Sequence, residues 1–146
     1  MNDFSTLQKQ LCFSLYQVSG EFTKLYSKAL KEFDLTYPQY LVLLSLWEKD
    51  HVTMKDLGEQ LNLGTGTLTP MISRMEASGW LRRERSSLDE RKVFISLERK
   101  AKDQKPLISS KIETMIGHCQ VDFEEYEMLM QQLAQLKKKL VKQTSW

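Results

Sequence analysis

The stretch from Thr53 to Leu97 changes its periodicity twice, and this change limits the possible fold more than any other feature of the chain. Its first part has the i, i+3, i+4, i+7 apolar spacing of two short helices. Thr53 is a hydroxyl cap for the first of these helices, and Gly79 ends the second as a C-terminal glycine does. From Leu81 onwards polar and apolar residues alternate, which is typical of a β-hairpin.

These two helices, the tight turn at Asn62–Gly64 and the charged hairpin together predict a winged helix-turn-helix. The second helix is expected to turn its apolar residues inward, namely Leu68, Met71, Ile72 and Met75. The hairpin tip, Ser86–Glu90, consists of turn formers except for Leu88. Proline damages a helix interior, so we expect Pro70 in a first turn, with the helix beginning at Thr67 or irregular before it.

The outward side of the second helix and the hairpin carry groups that suit DNA. Small hydroxyls and glycines permit close approach, and a helix N-terminus binds phosphate through its free amide groups. The candidate residues of the helix are Thr65, Gly66, Thr67, Thr69, Ser73 and Arg74. The basic residues of the hairpin are Arg82, Arg83, Arg85, Arg91 and Lys92. The competing interpretation is an ordinary solvated basic hairpin on a protein-interaction module.

Length and composition set broader limits. A chain of 146 residues, 41% of them hydrophobic, is long enough for one domain with a real core. A formal charge of +2 gives little support for nucleic acid, so that argument depends on how the charges are arranged. No apolar run approaches the roughly 18 residues of a membrane span, and Met1–Ser5 lacks the order of a signal peptide. We therefore expect a cytoplasmic protein with reduced thiols.

The N-terminal third of the sequence predicts two helices, the first of which should take part in dimerisation. Residues from about Phe4 to Phe33 have the spacing of one long helix, whose apolar stripe is too long for a small domain to cover alone. Dimerisation is the economical explanation. A second helix, Gln39 to about Trp47, is apolar nearly all round and should be central, with Thr36 as its cap. A short strand at His51–Thr53 is expected to pair with the hairpin.

The C-terminal part predicts a helix from Glu98 to about Gln120, interrupted or kinked near Pro106, and another from about Asp122 to Lys142. The predicted fold class is therefore mainly α with a small β-hairpin. A winged helix-turn-helix at about 36–99 is flanked by dimerisation helices at about 1–35 and 100–146, all within a single domain, 1–146. Paired across a two-fold axis, the two reading heads would lie roughly one DNA turn apart on a palindromic site.

The residues show no constellation for catalysis, metal or cofactor binding. Neither His51 nor His118 has a partner pattern, and Cys119 beside His118 lacks the other ligands of a zinc site. A phosphate loop and a nucleophile elbow are also missing from the sequence. Cys12 stands among apolar neighbours, and these residues taken alone favour an inert core thiol.

Several motifs together resemble the MarR family of bacterial repressors, and more narrowly its organic-hydroperoxide regulators, the OhrR group. The motifs are Gly66–Pro70, Arg74–Glu76, Asp89–Arg91, Leu11–Phe13 and Leu35–Tyr40, so the resemblance covers nearly the whole chain. There are two departures. Gly64 stands where the group usually has an Asp that caps the recognition helix, and Glu98–Lys100 replaces the usual Thr-Glu-x-Gly.

The resemblance implies that Cys12 is a peroxide-reactive thiol held by tyrosine hydroxyls that cross from the partner subunit. The matching positions are Tyr26 and Tyr37, with Tyr16 one turn beyond Cys12 on its own helix. Hydrogen-bond donors favour the thiolate, which is the attacking species. In the hairpin, we expect Arg91 to enter a minor groove while Asp89 orients the wing.

The same resemblance gives Cys119 a role that depends on the branch of the group. One-cysteine members end in a mixed disulfide with a small thiol, whereas two-cysteine members close a disulfide between subunits. Cys119 is placed like the resolving cysteine of the second branch; the alternative is a chance thiol. The expected function is a homodimeric repressor that releases its operator DNA when an organic hydroperoxide oxidises Cys12. Two alternatives are a repressor released by a phenolic ligand and a thiol peroxidase.

Overall fold

The computed structural model describes residues 4–145, and within them the helices and strands follow the order of a winged helix-turn-helix. The N-terminal elements are α1 (Leu11–Leu30), α2 (Tyr37–Glu48), β1 (Val52–Thr53), α3 (Met54–Leu61) and α4 (Thr65–Ala77). The C-terminal elements are β2 (Leu81–Arg85), β3 (Val93–Leu97), α5 (Arg99–Gly117) and α6 (Phe123–Thr144). The predicted fold class, mainly α with a small β-hairpin, is confirmed.

The sheet is antiparallel, with β3 between β1 and β2. Leu81 lies opposite Leu97 and Arg85 opposite Val93, so the hairpin closes over residues 86–92. The short strand expected before α3 pairs with the hairpin as predicted, with Val52 opposite Ile95. The carboxylate of Asp50 anchors this junction, because its Oδ1 accepts the N–H of Leu97 at 2.9 Å.

Local caps fix where the helices begin. Thr36 and Gln39 form a capping box at the start of α2, in which each side chain accepts the other's backbone N–H. Thr53 caps α3 by accepting the N–H of Asp56 at 3.1 Å. Both caps were predicted from the sequence, because each needs only a hydroxyl a few residues before an apolar run.

The turn between α3 and α4 depends on a glycine inside α3. Asn62 is left-handed, with φ of 55°, and the chain then folds back so that the N–H of Leu63 reaches Gly58 O at 2.9 Å. A Cβ on Gly58 would lie 2.9 Å from the carbonyl oxygen of Leu63. Any larger residue there would push the turn, and hence the start of α4, away from α3.

The core lies beneath α4 and the sheet. The residues of α4 predicted to face inward, Leu68, Met71, Ile72 and Met75, are all buried. Behind them α4 ends in a Schellman motif: the N–H of Trp80 bonds to Met75 O at 3.0 Å and Gly79 has φ of 84°. The burial of Trp80 then fixes the start of the hairpin against the helix.

The predicted start of α4 is wrong. The helix is regular from Thr65, with Gly64 as its extended N-cap, and Pro70 lies inside it. Proline has no backbone N–H, so the helix lacks the hydrogen bond that residue 70 would otherwise donate to the carbonyl of Gly66. Burial of the apolar face stabilises the helix by more than the single proline costs it.

Two further boundaries differ from the sequence-based expectation. The first helix is not continuous from Phe4: a 3₁₀ turn at Leu7–Lys9 is separated from α1 by Gln10, which is extended. A second 3₁₀ turn, Lys31–Phe33, follows α1 and ends at a left-handed Asp34. Helix α5, expected to break or kink near Pro106, continues through it from Arg99 to Gly117.

The chain forms two compact units, one ending at Ile112 and the other beginning at Glu113. The second unit contains α6, none of whose residues is buried within the described chain. Its exposed apolar side chains include Phe123, Tyr126, Leu129, Leu133 and Leu140. Among the described residues, every helix is too short or too polar to span a bilayer.

Candidate nucleic-acid interface and thiol sites

A groove of about 860 Å³ lies between the helix-turn-helix and the hairpin. Its walls combine residues of α3, α4, β2 and the hairpin loop. The cationic lining residues are Lys55, Arg83, Arg85, Arg91 and Lys92; the acidic ones are Asp56, Glu59 and Asp89. Thr65 and Thr69 line it from the recognition helix. The sequence-based candidates did not include Lys55, whose place beside α4 follows from the tight turn.

The polar face of α4 is only partly available. Thr65, Gly66, Thr67 and Arg74 are exposed, whereas Thr69 and Ser73 are half-buried. The hydroxyl of Ser73 donates to Thr69 O at 3.0 Å, so that group is already engaged within the helix. The most accessible candidates are therefore the first turn of α4 and Arg74.

Three of the hairpin arginines are engaged within the protein, among them Arg85, whose Nη1 donates to Glu90 O at 3.4 Å. Arg82 donates to Glu84 at 2.9 Å and to Leu97 O at 3.2 Å. The bond with Glu84 raises the pKa of Arg82 above its ordinary value. Arg83 is bound by Glu76. The sequence placed all three among the basic hairpin residues that suit DNA, and any contact with DNA would have to share them with these partners.

Glu76 connects α4 to the hairpin. Its carboxylate accepts the backbone N–H of Arg83 at 2.7 Å and the guanidinium at 3.2 Å from Nε and 3.1 Å from Nη2. The backbone bond is the main reason that the pKa of Glu76 lies below its usual value. Sequence reasoning used Glu76 only as part of a family motif, because its partner is set by the fold beyond Gly79.

The tip of the hairpin is held by short-range hydrogen bonds. Asp89 Oδ1 accepts the N–H of Arg91 at 3.1 Å and lies 3.9 Å from Arg91 Nε. The side chain of Arg91 is nevertheless 96% exposed. Ser86 supports the same turn, because its Oγ accepts the N–H groups of Leu88 and Asp89, each at 3.2 Å. Arg91 is thus presented outward from an ordered loop.

Cys12 is exposed on α1 of this chain. The prediction of a core thiol, which its apolar neighbours taken alone favoured, is therefore wrong. Tyr16, one turn further along the helix, is also exposed, and its ring stacks on Phe13 with centroids 6.4 Å apart. The thiol therefore lies on an open helical face beside an aromatic pair.

Tyr26 and Tyr37 lie together, with ring centroids 4.8 Å apart, although they come from α1 and α2. A third ring, Tyr40, lies 5.8 Å from Tyr26 and is buried. Burial, together with the neighbouring Tyr37, raises the pKa of Tyr40, so its phenol stays protonated. The structure thus brings together two of the three predicted thiol-supporting tyrosines, and Tyr40 lies beside them in the helix that was predicted to be central.

Cys119 lies just after α5, in the second unit. It is half-buried, its backbone N–H bonds to Ile116 O at 3.0 Å, and its Sγ donates to Met115 O at 3.5 Å. Within residues 4–145, no three His, Cys, Asp or Glu side chains are grouped to hold a metal ion.

Comparisons with known proteins agree with this geometry. The family model described as "Transcriptional regulator SarA/Rot" matches residues 24–108. The organic hydroperoxide resistance transcriptional regulator of Bacillus subtilis is 55% identical over 95 residues, and the match spans 65% of each chain. MgrA of Staphylococcus aureus is 38% identical over 130 residues, 88% of each chain.

Solved structures give the same result. Reduced AbfR bound to DNA has a TM-score of 0.82 and 40% identity, over 92% of this chain and 94% of that chain. AbfR is a protein of Staphylococcus epidermidis. The fold and the basic groove define a winged-helix regulator. This chain belongs to the SarA/Rot transcriptional regulators, a group of MarR-type winged-helix proteins.

Proposed function

We propose that this regulator is a homodimeric repressor that binds a palindromic operator when Cys12 is reduced and releases it when an organic hydroperoxide oxidises Cys12. The observation that carries the proposal is that one chain leaves Cys12 uncovered on α1, where groups of a second subunit can reach it. A thiol packed in the core of its own chain could meet neither a peroxide nor the hydrogen-bond donors of a partner, whereas this one can meet both. The 55% identity with a Bacillus subtilis regulator of organic hydroperoxide resistance supports this choice of signal.

DNA binding would use both sides of the basic groove. The N-terminal part of α4, with Thr65, Thr67 and Arg74, would enter a major groove, as the second helix of a helix-turn-helix does. The wing would bring Arg91 to the adjacent minor groove, with Asp89 holding its backbone. A relative at 40% identity, AbfR, binds DNA in its reduced form.

The dimer would form through apolar faces that one chain leaves uncovered. On α1 these are Leu11, Val18, Phe22 and Leu25; on α6 they are Phe123, Leu129, Leu133 and Leu140. Apolar surface of this extent favours burial against a second copy, since burial yields about 25 cal/mol per Å². Two copies related by a two-fold axis would present two recognition helices to a palindrome.

The thiol chemistry begins at Cys12. Its thiolate attacks the terminal oxygen of the hydroperoxide, the O–O bond breaks, and the products are a sulfenic acid and an alcohol. Tyr26 and Tyr37 of the partner subunit would donate hydrogen bonds that favour the thiolate. Their ring centroids are only 4.8 Å apart, so one pair could serve one sulfur.

Cys119 of the other subunit would resolve the sulfenic acid. Its thiol displaces the hydroxyl from the Cys12 sulfur, which forms a disulfide and releases water. A disulfide needs the two Cα atoms within about 7 Å, so the helices must move wherever they start farther apart. That movement would change the spacing of the two reading heads. A disulfide form of AbfR, 42% identical, supports a two-cysteine mechanism.

The proposal is tested by treating reduced protein with one equivalent of cumene hydroperoxide. DNA binding is followed by fluorescence anisotropy, and the same samples are run on a non-reducing gel. The wild type should lose DNA affinity and give a dimer-sized band that reverses with reductant. The band should be absent in Cys12→Ser and in Cys119→Ser.

Other outcomes separate the alternatives. If DNA is released without a band, or if Cys119→Ser still forms one, Cys119 is not the resolving thiol and the one-cysteine mechanism is the better model. If Cys12→Ser retains normal induction in cells, a small ligand rather than a peroxide is the signal. A peroxidase would consume many equivalents of peroxide with a thiol reductant, whereas a sensor stops after one.

A further inference from the structure

We infer that Leu88, at the tip of the wing, is a DNA contact in its own right: an apolar side chain that the wing places in the minor groove beside Arg91. The inference rests on the proposed mode of DNA binding and adds a specificity-determining residue to it. The side chain of Leu88 carries no charge and no hydrogen-bonding group, so neither kind of contact explains its place at the tip.

Exposure sets Leu88 apart from the other large apolar side chains. It is 97% exposed, the largest value among the large apolar residues of the described chain. The stretches of exposed apolar surface on α1 and α6 are continuous faces that suit a second copy. Leu88 instead stands between polar residues, Ser86 and Ser87 before it and Asp89 and Glu90 after it. A single isolated leucine cannot form such a face.

The turn that carries Leu88 is ordered. Ser86 Oγ accepts the N–H of Leu88 and of Asp89, each at 3.2 Å. The loop is closed below by two backbone bonds, Ser86 N to Lys92 O at 2.9 Å and Lys92 N to Asp89 O at 3.0 Å. The side chain is therefore held outward at a fixed place, and little backbone freedom remains to be lost when it binds.

Between residues 85 and 92 three cations outnumber the two acids, Asp89 and Glu90, and this excess favours DNA over a protein as the partner of Leu88. Arg85, Arg91 and Lys92 line the groove behind the tip, and the Arg91 side chain is 96% exposed. A polyanion attracts this end of the hairpin first, and the tip then reaches the groove between the phosphates. The walls of the minor groove are deoxyribose rings, whose C–H surfaces suit an apolar side chain. Minor-groove proteins insert leucine and similar residues between base steps, so an apolar side chain is compatible with this groove.

An apolar contact has a signature that an ionic contact lacks. Arginine at a phosphate releases counterions, so its removal lowers the salt dependence of binding. Leucine releases none, so its removal should weaken binding by the same factor at every salt concentration. The two effects can therefore be separated on one hairpin.

The experiment titrates reduced protein against a duplex selected by the wild type from a randomised pool, from about 50 to 200 mM salt, the range over which ionic contacts change affinity most. Leu88→Ala and Leu88→Asn should each weaken binding roughly 5- to 30-fold, as expected for lost apolar burial in two wings. Their salt slope should equal that of the wild type. Leu88→Met, which keeps an apolar chain of similar volume, should stay within about 3-fold. Arg91→Ala should weaken binding and reduce the slope by about 1 for each wing.

Thermal melting provides the folding control, since an exposed tip residue should leave the melting temperature unchanged in all four variants. If Leu88→Ala binds as the wild type does while Arg91→Ala is weakened, the inference about Leu88 is overturned and the wing proposal stands. If neither variant is weakened, both the inference and the minor-groove role of the wing are overturned. A changed salt slope in Leu88→Ala would also overturn the inference, because the effect would then be electrostatic.

Discussion

Glu76 on α4 and Arg83 on β2 are joined by both main chain and side chain, the shortest contact being the Arg83 N–H to the carboxylate at 2.7 Å. This pair spans the Schellman turn at Gly79 and fixes the angle at which the hairpin leaves the recognition helix. The two elements that would enter adjacent DNA grooves are thus coupled by one carboxylate.

The stability contributed by Glu76 should depend on pH. Its pKa is lowered in the folded state, so its contribution is present above the unfolded pKa, about 4.3, and is lost as the pH falls through the folded value. Glu76→Gln keeps an acceptor but removes the charge. At pH 7 it should lower the free energy of unfolding by about 0.5–1 kcal/mol, because the pair is a third exposed.

Urea denaturation between pH 7 and pH 3 measures this effect. The difference between wild type and Glu76→Gln should shrink below about pH 4, near the ordinary carboxyl pKa. Glu59→Gln, which alters an exposed carboxylate of α3, is the matched control. A difference that stays constant across the range would mean that the charge of Glu76 is not what stabilises the junction.

Gly64 offers a stabilising substitution. It is the extended N-cap of α4, with φ of −73° and ψ of 160°, and a Cβ there would meet nothing within 4 Å. Gly64→Ser should raise the free energy of unfolding by about 0.5–1 kcal/mol, through a new cap and a less flexible unfolded chain. Gly79→Ala is the contrasting variant: with φ of 84° it should cost about 1–2 kcal/mol. Equal melting temperatures for the two variants would contradict the opposite effects expected at the two ends of α4.

The arginines should divide into two classes. Arg74 is exposed on α4, so Arg74→Ala should weaken DNA binding by about 1–3 kcal/mol and leave the melting temperature unchanged. Arg82 is bonded to Glu84 and to Leu97 O, so Arg82→Ala should also lower the melting temperature. Parallel DNA titrations and thermal melts of the two variants make the comparison. If Arg74→Ala lowered the melting temperature and Arg82→Ala did not, the roles assigned to these two arginines would be reversed.

The tyrosine pair should control the reactivity of Cys12. Tyr26→Phe and Tyr37→Phe keep the contact between the two rings and remove only a hydroxyl donor, so each should slow oxidation of Cys12 without abolishing DNA binding. The rate of thiol alkylation against pH reports the thiolate fraction. Tyr126→Phe, on α6, serves as the control. Identical pH profiles for wild type and both variants would show that these hydroxyls do not stabilise the thiolate.

The parts of the fold that the sequence predicted are those set by interactions within a few residues. The caps at Thr36 and Thr53, the glycine at the end of α4 and the inward face of that helix each follow from a local rule. The pairing of β1 with the hairpin was also predicted, from the short run His51–Thr53 directly before the helix-turn-helix.

The features that the sequence could not predict depend on tertiary contacts that compete with local conformational preferences. Pro70 alone argues against a helix through Thr65, and the buried side chains around it outweigh that preference. The bonds of Arg83 to Glu76 depend on how the hairpin leaves α4. The exposure of Cys12 likewise depends on which face of α1 the rest of the chain covers.

Helix α6 runs for 22 residues without a buried side chain in the described chain. An isolated helix of that length in water is marginal, since most helical stability in proteins comes from packing. Its persistence would therefore be set by a second copy and follow mass action, so that melting rises with protein concentration. A cell that makes little of the regulator would then hold more of it as unpaired, less stable chains. The lifetime of the protein would therefore rise with its abundance.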